Sequence, residues 1–288
     1  VGCATIGPLL RLALLVPVPR KRVVPETMMA WSADQYLKFA APRLRPAVDL
    51  LARVPQQPAP APAVDLGCGT GSATEMIAAR WPDADVVGVD SSPAMLARQA
   101  PPGTRVRWQQ ADIADPAGWR PPQAPGLIYS NAALHWLPDH ATLLPALLAT
   151  LAPGGTLAVQ MPRNFGAPSH TGIADTARDG PWRAVLEPML KPAPVAEPGW
   201  YVELLAPHAA ALDVWETEYQ QILEGVDPVK EWTKGTWLAP FLQALPAAQA
   251  QAFEAAYAAR MRAAYPPLAD GRTVFPFRRL FIVARARG

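Results

Sequence analysis

The 288-residue chain has few cysteines, few histidines and few charged side chains, and each scarcity excludes a class of protein. Its two cysteines, Cys3 and Cys68, cannot build a disulfide framework and fit a reducing compartment, so we expect a cytoplasmic protein. The four histidines are scattered and lack cysteine partners at ligand spacing, which predicts no metal site. Charged residues make up 17% of the chain and the net charge is +2, too little to indicate a nucleic-acid partner.

The N-terminal region lacks an apolar run long enough to span a membrane, because Leu9 to Val18 covers only about half of a span. The basic residues Arg20-Lys21-Arg22 follow this run, whereas a secretory signal carries its positive charge ahead of the run. We therefore expect residues 1–28 to be a disordered tail or the product of an over-extended start, without a membrane partner. A membrane-associated tail stays open as an alternative.

Residues 29–288 are long enough for a single α/β domain with an appended cap. Short β-rich apolar segments alternate with helical patterns, which favours a parallel, doubly wound sheet of about seven strands. The strands are predicted at 63–66, 85–90, 105–109, 126–130, 156–161, 212–219 and 280–284. Lid helices are predicted at 32–54, interrupted by Pro42, and insert or cap segments at about 163–210 and 226–268. Residues 163–200 show no clear periodicity and are typical of a lid or insertion.

The most informative motif is Asp65-Leu66-Gly67-Cys68-Gly69-Thr70-Gly71, which joins the first predicted strand to a helix. Glycines let the backbone turn tightly and let a ligand approach without a Cβ in the way. Asp90 ends the next predicted strand about 20 residues later, where an acid can accept hydrogen bonds from both ribose hydroxyls. Together the loop and the acid predict a nucleoside-binding site.

The spacing of the glycines discriminates between two nucleoside classes. The dinucleotide fingerprint G-x-G-x-x-G requires glycine where this chain has Ser72. The G-x-G-x-G spacing after an acid instead resembles motif I of the class I S-adenosylmethionine-dependent methyltransferases. An NAD-dependent oxidoreductase is the weaker alternative, because Ser72 replaces the glycine and no Tyr-x-x-x-Lys pattern is found. A non-catalytic cofactor-binding module is disfavoured by the intact loop and both acids.

Further candidate residues follow the predicted strands, because ligands of open α/β sheets lie beyond the carboxyl ends of the strands. Asp112 and Ile113 are expected to flank an adenine, with a loop cap as the structural alternative for Asp112. Trp31 and Tyr36 are expected to close over the cofactor or to pack against the sheet. The predicted cofactor-binding residues are Asp65, Gly67, Cys68, Gly69, Gly71, Asp90, Ser91, Asp112, Ile113, Asn131, Trp31 and Tyr36.

The segment after the fourth strand, Asn131-Ala132-Ala133-Leu134-His135-Trp136, differs from the Asn/Asp-Pro-Pro-Tyr/Phe turn of methyltransferases that act on amino groups. It makes His135 the candidate catalytic residue, orienting the acceptor rather than acting as a base, although a lone histidine is often structural. Trp136 becomes a candidate for the acceptor pocket.

Several longer segments carry a more specific pattern: Tyr36-Leu37-Lys38-Phe39-Ala40 after Trp31, Arg43 to Pro55, Asp90-Ser91-Ser92-Pro93-Ala94-Met95, Asn131 to Pro138 with Asp139-His140, Leu157 to Pro162, and Arg279 to Arg285. These segments resemble the trans-aconitate 2-methyltransferase family over about residues 29–286. The resemblance implies a Rossmann-like class I methyltransferase, with a seven-stranded, mostly parallel sheet, helices on both faces and a helical cap. It implies that S-adenosylmethionine is used to esterify one carboxylate of trans-aconitate. Separately, we expect a monomer or homodimer without a metal.

A small polycarboxylic acid requires cationic and hydrogen-bonding groups, and the arginine fork suits carboxylates. Arg163 and Arg279 rank first among the arginines because each adjoins a predicted buried strand, and His170 and Lys234 are supplementary candidates. The predicted substrate-binding residues are Trp136, Arg43, Gln160, Arg163, Asn164, Tyr201, Trp232 and Arg279.

One departure leaves the acceptor open. The family pattern Lys-Gly-Thr-x-Leu-Arg-Pro has arginine where this chain has Ala239. The alternative acceptors are a malonyl thioester carboxylate or a natural-product hydroxyl. A hydroxyl acceptor would require a base, and His135 is the candidate for that role.

Overall fold

A computed structural model of the chain describes residues 40–55, 61–97, 106–114 and 119–288, with side chains from residue 44 onward. The strands are β1 (Ala63–Leu66), β2 (Val86–Asp90), β3 (Val106–Gln110), β4 (Leu127–Asn131), β5 (Thr156–Pro162), β6 (Ala209–Leu223) and β7 (Thr273–Ala286). They form one seven-stranded sheet in the order β3-β2-β1-β4-β5-β7-β6. Strands β1 to β5 pair in parallel, whereas β7 is antiparallel to both β5 and β6. The predicted α/β fold with a mostly parallel sheet is confirmed.

The helices within the described residues are α1 (Ala40–Arg53), α2 (Ser72–Arg80), α3 (Pro93–Leu96), α4 (His140–Ala149), α5 (Pro168–Arg178), α6 (Arg183–Leu186), α7 (Pro198–Leu205), α8 (Pro228–Lys234), α9 (Ala239–Gln243) and α10 (Ala247–Ala264). Short 3-10 helices occupy Leu134–Trp136 and Glu187–Met189. No helix in the described ranges combines the length and the apolarity needed to cross a membrane.

Side chains alternate between the two faces of the sheet, and each face has its own core. The α1 face buries Tyr129 and Phe281 with residues of α1 and α2. The opposite face, called the α4 face, buries Val159 and Ile282 with residues of α4 and α7. A third cluster, the cap core, joins α5, α8 and α10 to the start of β7 around Phe253. The separation of the two faces determines which side chains can meet where the strands end.

One local prediction was wrong, because Pro42 was expected to interrupt the first helices. Helix α1 begins at Ala40 and continues through Pro42, since a proline in the first turn removes an N–H that has no intrahelical acceptor. Residues 163–200 contain α5, α6 and the start of α7, where Pro168 and Pro198 occupy the first helical positions. Residues 1–28, 32–39 and the side chain of Arg43 lie outside the described part of the structure.

Candidate active site

The glycine loop between β1 and α2 has a backbone path that only glycine allows at two positions. Gly67 and Gly71 both have positive φ, at 72° and 89°. A Cβ on Gly67 would overlap the Cβ of Ala133, and a Cβ on Gly71 would overlap the indole of Trp108. The loop is therefore packed directly against the segment that follows β4, which places the two motifs side by side.

Asp90 at the end of β2 is fixed to this loop. Its carboxylate accepts hydrogen bonds from the backbone N–H of Gly69 at 2.9 Å and of Ser92 at 2.8 Å. Each carboxylate oxygen accepts more than one hydrogen bond, so Asp90 keeps acceptor capacity for ribose hydroxyls. Asp90 is half-buried, whereas the neighbouring Ser91 is exposed.

Asp65, also predicted to bind the cofactor, lies beneath the loop. Its carboxylate accepts a hydrogen bond from the Thr74 hydroxyl at 2.6 Å and is 1% exposed. Burial raises the pKa of Asp65 to about 7; the Thr74 hydrogen bond opposes this shift and the nearby Asp90 adds to it. Burial likewise raises the pKa of the Cys68 thiol, so Cys68 in the same loop is un-ionised at neutral pH.

The residues predicted to flank the adenine follow β3. Asp112 is exposed, and its carboxylate accepts a hydrogen bond from the Ala114 N–H at 2.9 Å. This is an Asx turn, so Asp112 has the loop-capping role that was its structural alternative. The second oxygen of the carboxylate remains available for a ligand. Ile113 is half-buried and packs against the core of the α4 face.

Three polar side chains converge on the α1 face where β4 and β5 end. Asn131 pairs in register with Gln160, and Arg279 of β7 pairs in register with Pro162, two residues further along β5. Arg279 donates from Nη1 to Gln160 Oε1 at 3.5 Å, and its guanidinium lies over the ring of Phe277 at 4.6 Å. Gln160 and Arg279 are 0% and 5% exposed.

This polar cluster has hydrogen-bonding capacity that the described residues do not fill. Gln160 Nε2 and Asn131 Oδ1 are buried without a hydrogen-bond partner among those residues. Leaving such a group unpaired costs about 1–3 kcal/mol, so a natural protein usually retains it for a ligand or for ordered water. The chemistry of the cluster therefore suits a polar, and next to Arg279 preferably anionic, group.

His135 lies beside this cluster on the 3-10 helix that follows β4. It is 4% exposed, and its Nδ1 has no hydrogen-bond partner within the described ranges. Burial, followed by the positive charge of Arg279, lowers the pKa of His135 well below its ordinary value. His135 is therefore neutral at physiological pH.

An aromatic wall encloses the same space. Trp136 stacks on Trp237 with centroids 4.9 Å apart, and Phe165 meets Trp237 edge-on at 5.0 Å. His170 lies 5.1 Å from Phe165 and 6.5 Å from Phe277, and burial lowers its pKa to about 4. Sequence reasoning missed Trp237 and Phe165. The position of Phe165 just after β5 was the available signal, whereas Trp237 lies between α8 and α9.

Asn164 supports this wall from behind. Its side chain donates to the Ser169 hydroxyl at 3.1 Å and accepts from the Arg278 N–H at 3.2 Å. The Ser169 hydroxyl in turn contacts Nδ1 of His170 at 3.0 Å. Asn164 therefore orients the first turn of α5, which carries His170, and both ends of its amide are already hydrogen-bonded.

Four other predicted residues lie away from the cluster. Arg163 is on the α4 face, in ion pairs with Glu216 and, at 2.7 Å, with Glu197. Tyr201 is in the core of the α4 face, Trp232 packs in the cap core, and Lys234 pairs with Glu254 at 2.7 Å. Arg43 belongs to α1, and Trp31 and Tyr36 lie outside the described residues. The described residues contain no group of three or more potential metal ligands.

Comparison with solved structures agrees with the fold. The chain superposes on the YcgJ protein of Bacillus subtilis with a TM-score of 0.54 and 14% identity, covering 85% of this chain and 99% of that one. It superposes on phosphoethanolamine N-methyltransferase 2 of Haemonchus contortus with a TM-score of 0.50 and 15% identity, covering 85% of this chain and 53% of that one. That structure contains S-adenosylhomocysteine and phosphomonomethylethanolamine.

Comparison with protein families and curated sequences narrows the assignment. A family model described as a methyltransferase domain matches residues 36–205, and with the sheet order it defines a class I methyltransferase. The chain is 52% identical over 259 residues to the trans-aconitate 2-methyltransferase of Azoarcus sp. BH72, covering 89% of this chain and 99% of that protein. It is 46% identical over 261 residues to the trans-aconitate 2-methyltransferase of Methylobacterium radiotolerans, covering 90% and 99%. The chain belongs to the trans-aconitate 2-methyltransferase family.

Proposed function

We propose that this chain transfers a methyl group from S-adenosylmethionine to one carboxylate of trans-aconitate, or of a closely related small polycarboxylic acid, giving the monomethyl ester. The observation that carries the proposal is the buried cluster of Arg279, Gln160 and Asn131 beside the glycine loop. Two relatives, each aligned with this chain over 99% of its own length, are named trans-aconitate 2-methyltransferase.

The residues of the first three strand ends suit the methyl donor, whose sulfonium supplies an electrophilic methyl group. Gly69 has open space where a Cβ would lie, as a backbone that a ligand approaches closely requires. Asp90 would accept hydrogen bonds from the ribose hydroxyls, and Asp112 with Ile113 would flank the adenine. The reaction requires no metal, because the acceptor already carries the negative charge.

The acceptor pocket suits an ionised carboxylate. A carboxyl group with an ordinary pKa of about 4 is an anion at neutral pH, so no general base is required. Arg279 would bind a carboxylate through its fork, and the Gln160 amide would donate to it. The aromatic wall of Trp136, Trp237 and Phe165 excludes water, which strengthens these interactions and leaves the oxygen nucleophile less solvated.

A hydroxyl acceptor is the second candidate function, and one observation favours it. His135 is neutral and its buried Nδ1 has no partner among the described residues, so it has the protonation state of a general base. If it served as a base, His135→Ala would abolish turnover. If the acceptor is a carboxylate, the same variant would chiefly raise the acceptor KM.

The decisive experiment is a methyl-transfer assay with the full chain against a panel of di- and tricarboxylates, with product mass as the readout. We expect trans-aconitate monomethyl ester as the main product. Arg279→Met should lower kcat/KM by at least about 30-fold, because removing one partner of a buried charge pair costs about 2–5 kcal/mol. Arg278→Met is the matched control, since the neighbouring Arg278 side chain is exposed and pairs with Glu218.

Two outcomes would contradict the proposal. Efficient turnover of a different acid without turnover of trans-aconitate would retain the chemistry and change the acceptor. Calorimetric binding of NAD without binding of S-adenosylhomocysteine would overturn the methyl donor as well.

A further inference from the structure

We propose that Tyr201 and His140 form a hydrogen-bonded relay that holds the acceptor turn, residues 131–139, in the conformation that the acceptor pocket requires. Tyr201 lies in the core of the α4 face, and its ring and that of His140 have centroids 5.9 Å apart. The Ala196 N–H donates to the Tyr201 hydroxyl oxygen at 3.2 Å. That hydroxyl lies 2.8 Å from Nδ1 of His140, and Nε2 of His140 lies 3.0 Å from the Leu134 carbonyl oxygen.

The partners of His140 and Tyr201 assign a donor and an acceptor to each hydrogen bond in the relay. The Leu134 carbonyl can only accept, so Nε2 of His140 carries the proton and donates it. The Tyr201 oxygen already accepts from the Ala196 N–H, so its own hydroxyl proton is the donor to Nδ1 of His140, 2.8 Å away. His140 and Tyr201 are 6% and 0% exposed, which makes these hydrogen bonds stronger than they would be in water.

The acceptor turn requires support of this kind because its own backbone is unfavourable. Ala132 and Asp139, which stand near its two ends, have left-handed φ values of 54° and 58°. For residues other than glycine, this conformation costs about 1–2 kcal/mol each. Between them the chain forms a 3-10 turn, whose internal hydrogen bonds are weaker than those of an α-helix.

The relay acts at the centre of this turn. Leu134 is the first residue of the 3-10 helix, and its carbonyl also accepts the Leu137 N–H at 2.9 Å. The next two residues are His135 and Trp136, which line the acceptor pocket. Fixing the Leu134 carbonyl therefore fixes both pocket side chains, and Tyr201 is a positioning residue rather than one that contacts the acceptor.

The first test removes only the Tyr201 hydroxyl. In Tyr201→Phe we expect amide hydrogen exchange of Trp136 and Leu137 to accelerate about tenfold relative to the other core amides. The KM for the acceptor should rise about 5- to 20-fold, while the dissociation constant of S-adenosylhomocysteine stays within twofold. The 15N resonance of His140 Nδ1 should shift, because that nitrogen loses its donor.

The matched control is Tyr129→Phe. Tyr129 is equally buried and its hydroxyl donates to a backbone carbonyl, that of Ala47 at 2.7 Å, on the opposite face of the sheet. This variant should lose a similar amount of global stability without selective exchange in the acceptor turn and without a rise in the acceptor KM. Equal effects of both variants on exchange and on KM would overturn the relay and leave Tyr201 a structural residue only.

The second test distinguishes the hydrogen bond that His140 donates from the packing of its ring in the core. His140→Gln can still donate from its amide to the Leu134 carbonyl, whereas His140→Leu cannot. We expect the glutamine variant to retain most of the acceptor affinity that the leucine variant loses, and equal losses would count against the relay.

The KM readout rests on the proposed function, but the exchange and 15N readouts do not. If no tricarboxylate is methylated, the proposed function fails, and those two readouts still decide the relay.

Discussion

Ionisation of the Asp65 side chain affects both the glycine loop and the stability of the folded protein. Because the Asp65 carboxyl group is buried, its pKa is raised from 3.8 to about 7, even though the Thr74 hydrogen bond opposes the shift. In the unfolded chain the group ionises near pH 4, whereas the folded protein keeps it protonated until about pH 7. The stability that this difference contributes is present below pH 4 and is lost as the pH rises towards 7.

Asp65→Asn should therefore stabilise the protein at alkaline pH. The amide keeps an acceptor for the Thr74 hydroxyl but cannot become a buried charge. We expect its advantage in free energy of unfolding over the parent chain to grow between pH 4.5 and pH 8, by at most about 4 kcal/mol. Urea denaturation at the two pH values measures this difference, and a constant advantage would contradict the assigned pKa.

Asp90→Asn is the control for Asp65→Asn. The Asp90 carboxylate is only half-buried and accepts hydrogen bonds from two backbone N–H groups. This change should destabilise the protein slightly and weaken S-adenosylhomocysteine binding about 10- to 100-fold, since charge-assisted hydrogen bonds are lost. An unchanged affinity would remove Asp90 from the donor site.

At the scale of elements, the glycine loop and the acceptor turn are one packed unit. Gly67→Ala would combine a left-handed backbone with an overlap against Ala133, so we expect a loss of about 2–4 kcal/mol in unfolding free energy. Gly69 also has a positive φ, of 56°, but open space where a Cβ would lie. Gly69→Ala should cost only about 1 kcal/mol and yet weaken donor binding strongly, because the added methyl group would face the ligand.

Chemical denaturation and calorimetry with S-adenosylhomocysteine on both variants test this contrast. Equal stability losses at Gly67 and Gly69 would show that strain alone, and not the contact with Ala133, governs the loop.

The parallel half of the sheet was predictable because all its strands except the edge strand β3 are largely buried on both faces and form short apolar runs. Strand β1 was predicted at its observed bounds, and β2 to β5 within one residue at each end. Strands β6 and β7 were predicted much too short, at 212–219 and 280–284. They pair over their whole length, and exposed polar side chains such as Glu218, together with Pro276, interrupt the apolar pattern there.

The proposed donor half of the site lies in a local motif that the sequence alone can identify, but the proposed acceptor half depends on strand register. Arg163 and Arg279 both adjoin the end of a buried strand, and the sequence ranks them equally. Because Pro162 is the residue that pairs with Arg279, Arg163 stands one position further and points to the other face. That antiparallel register is set by pairing between distant segments. The contact of Trp237 with Trp136 likewise depends on how the cap packs, and no local pattern encodes it.

At the scale of the whole molecule, the sheet and the cap jointly enclose two neutral histidines. His135 follows β4, whereas His170 is the third residue of the cap helix α5, and both rings lie within 6.4 Å of the Trp237 ring, centroid to centroid. Burial is the main cause of the lowered pKa of each ring, which for His170 is about 4. Protonating either ring therefore works against the packing of the cap on the sheet.

This arrangement predicts a loss of stability in mild acid. A histidine titrates near pH 6.5 in the unfolded chain, so between pH 6.5 and pH 4 the unfolded state binds the proton that folded His170 refuses. The contribution of His170 to the free energy of unfolding is complete above pH 6.5 and is lost as the pH falls, by at most about 3 kcal/mol.

Asp65 acts in the opposite direction over the same range, so the parent chain must be compared with His170→Asn at each pH. Urea denaturation from pH 7 to pH 4.5 should show a shallower acid dependence in this variant. His208→Asn, a change at an exposed histidine, should leave the dependence unaltered. Parallel curves for the parent chain and His170→Asn would refute the assignment of the acid sensitivity to the enclosed ring.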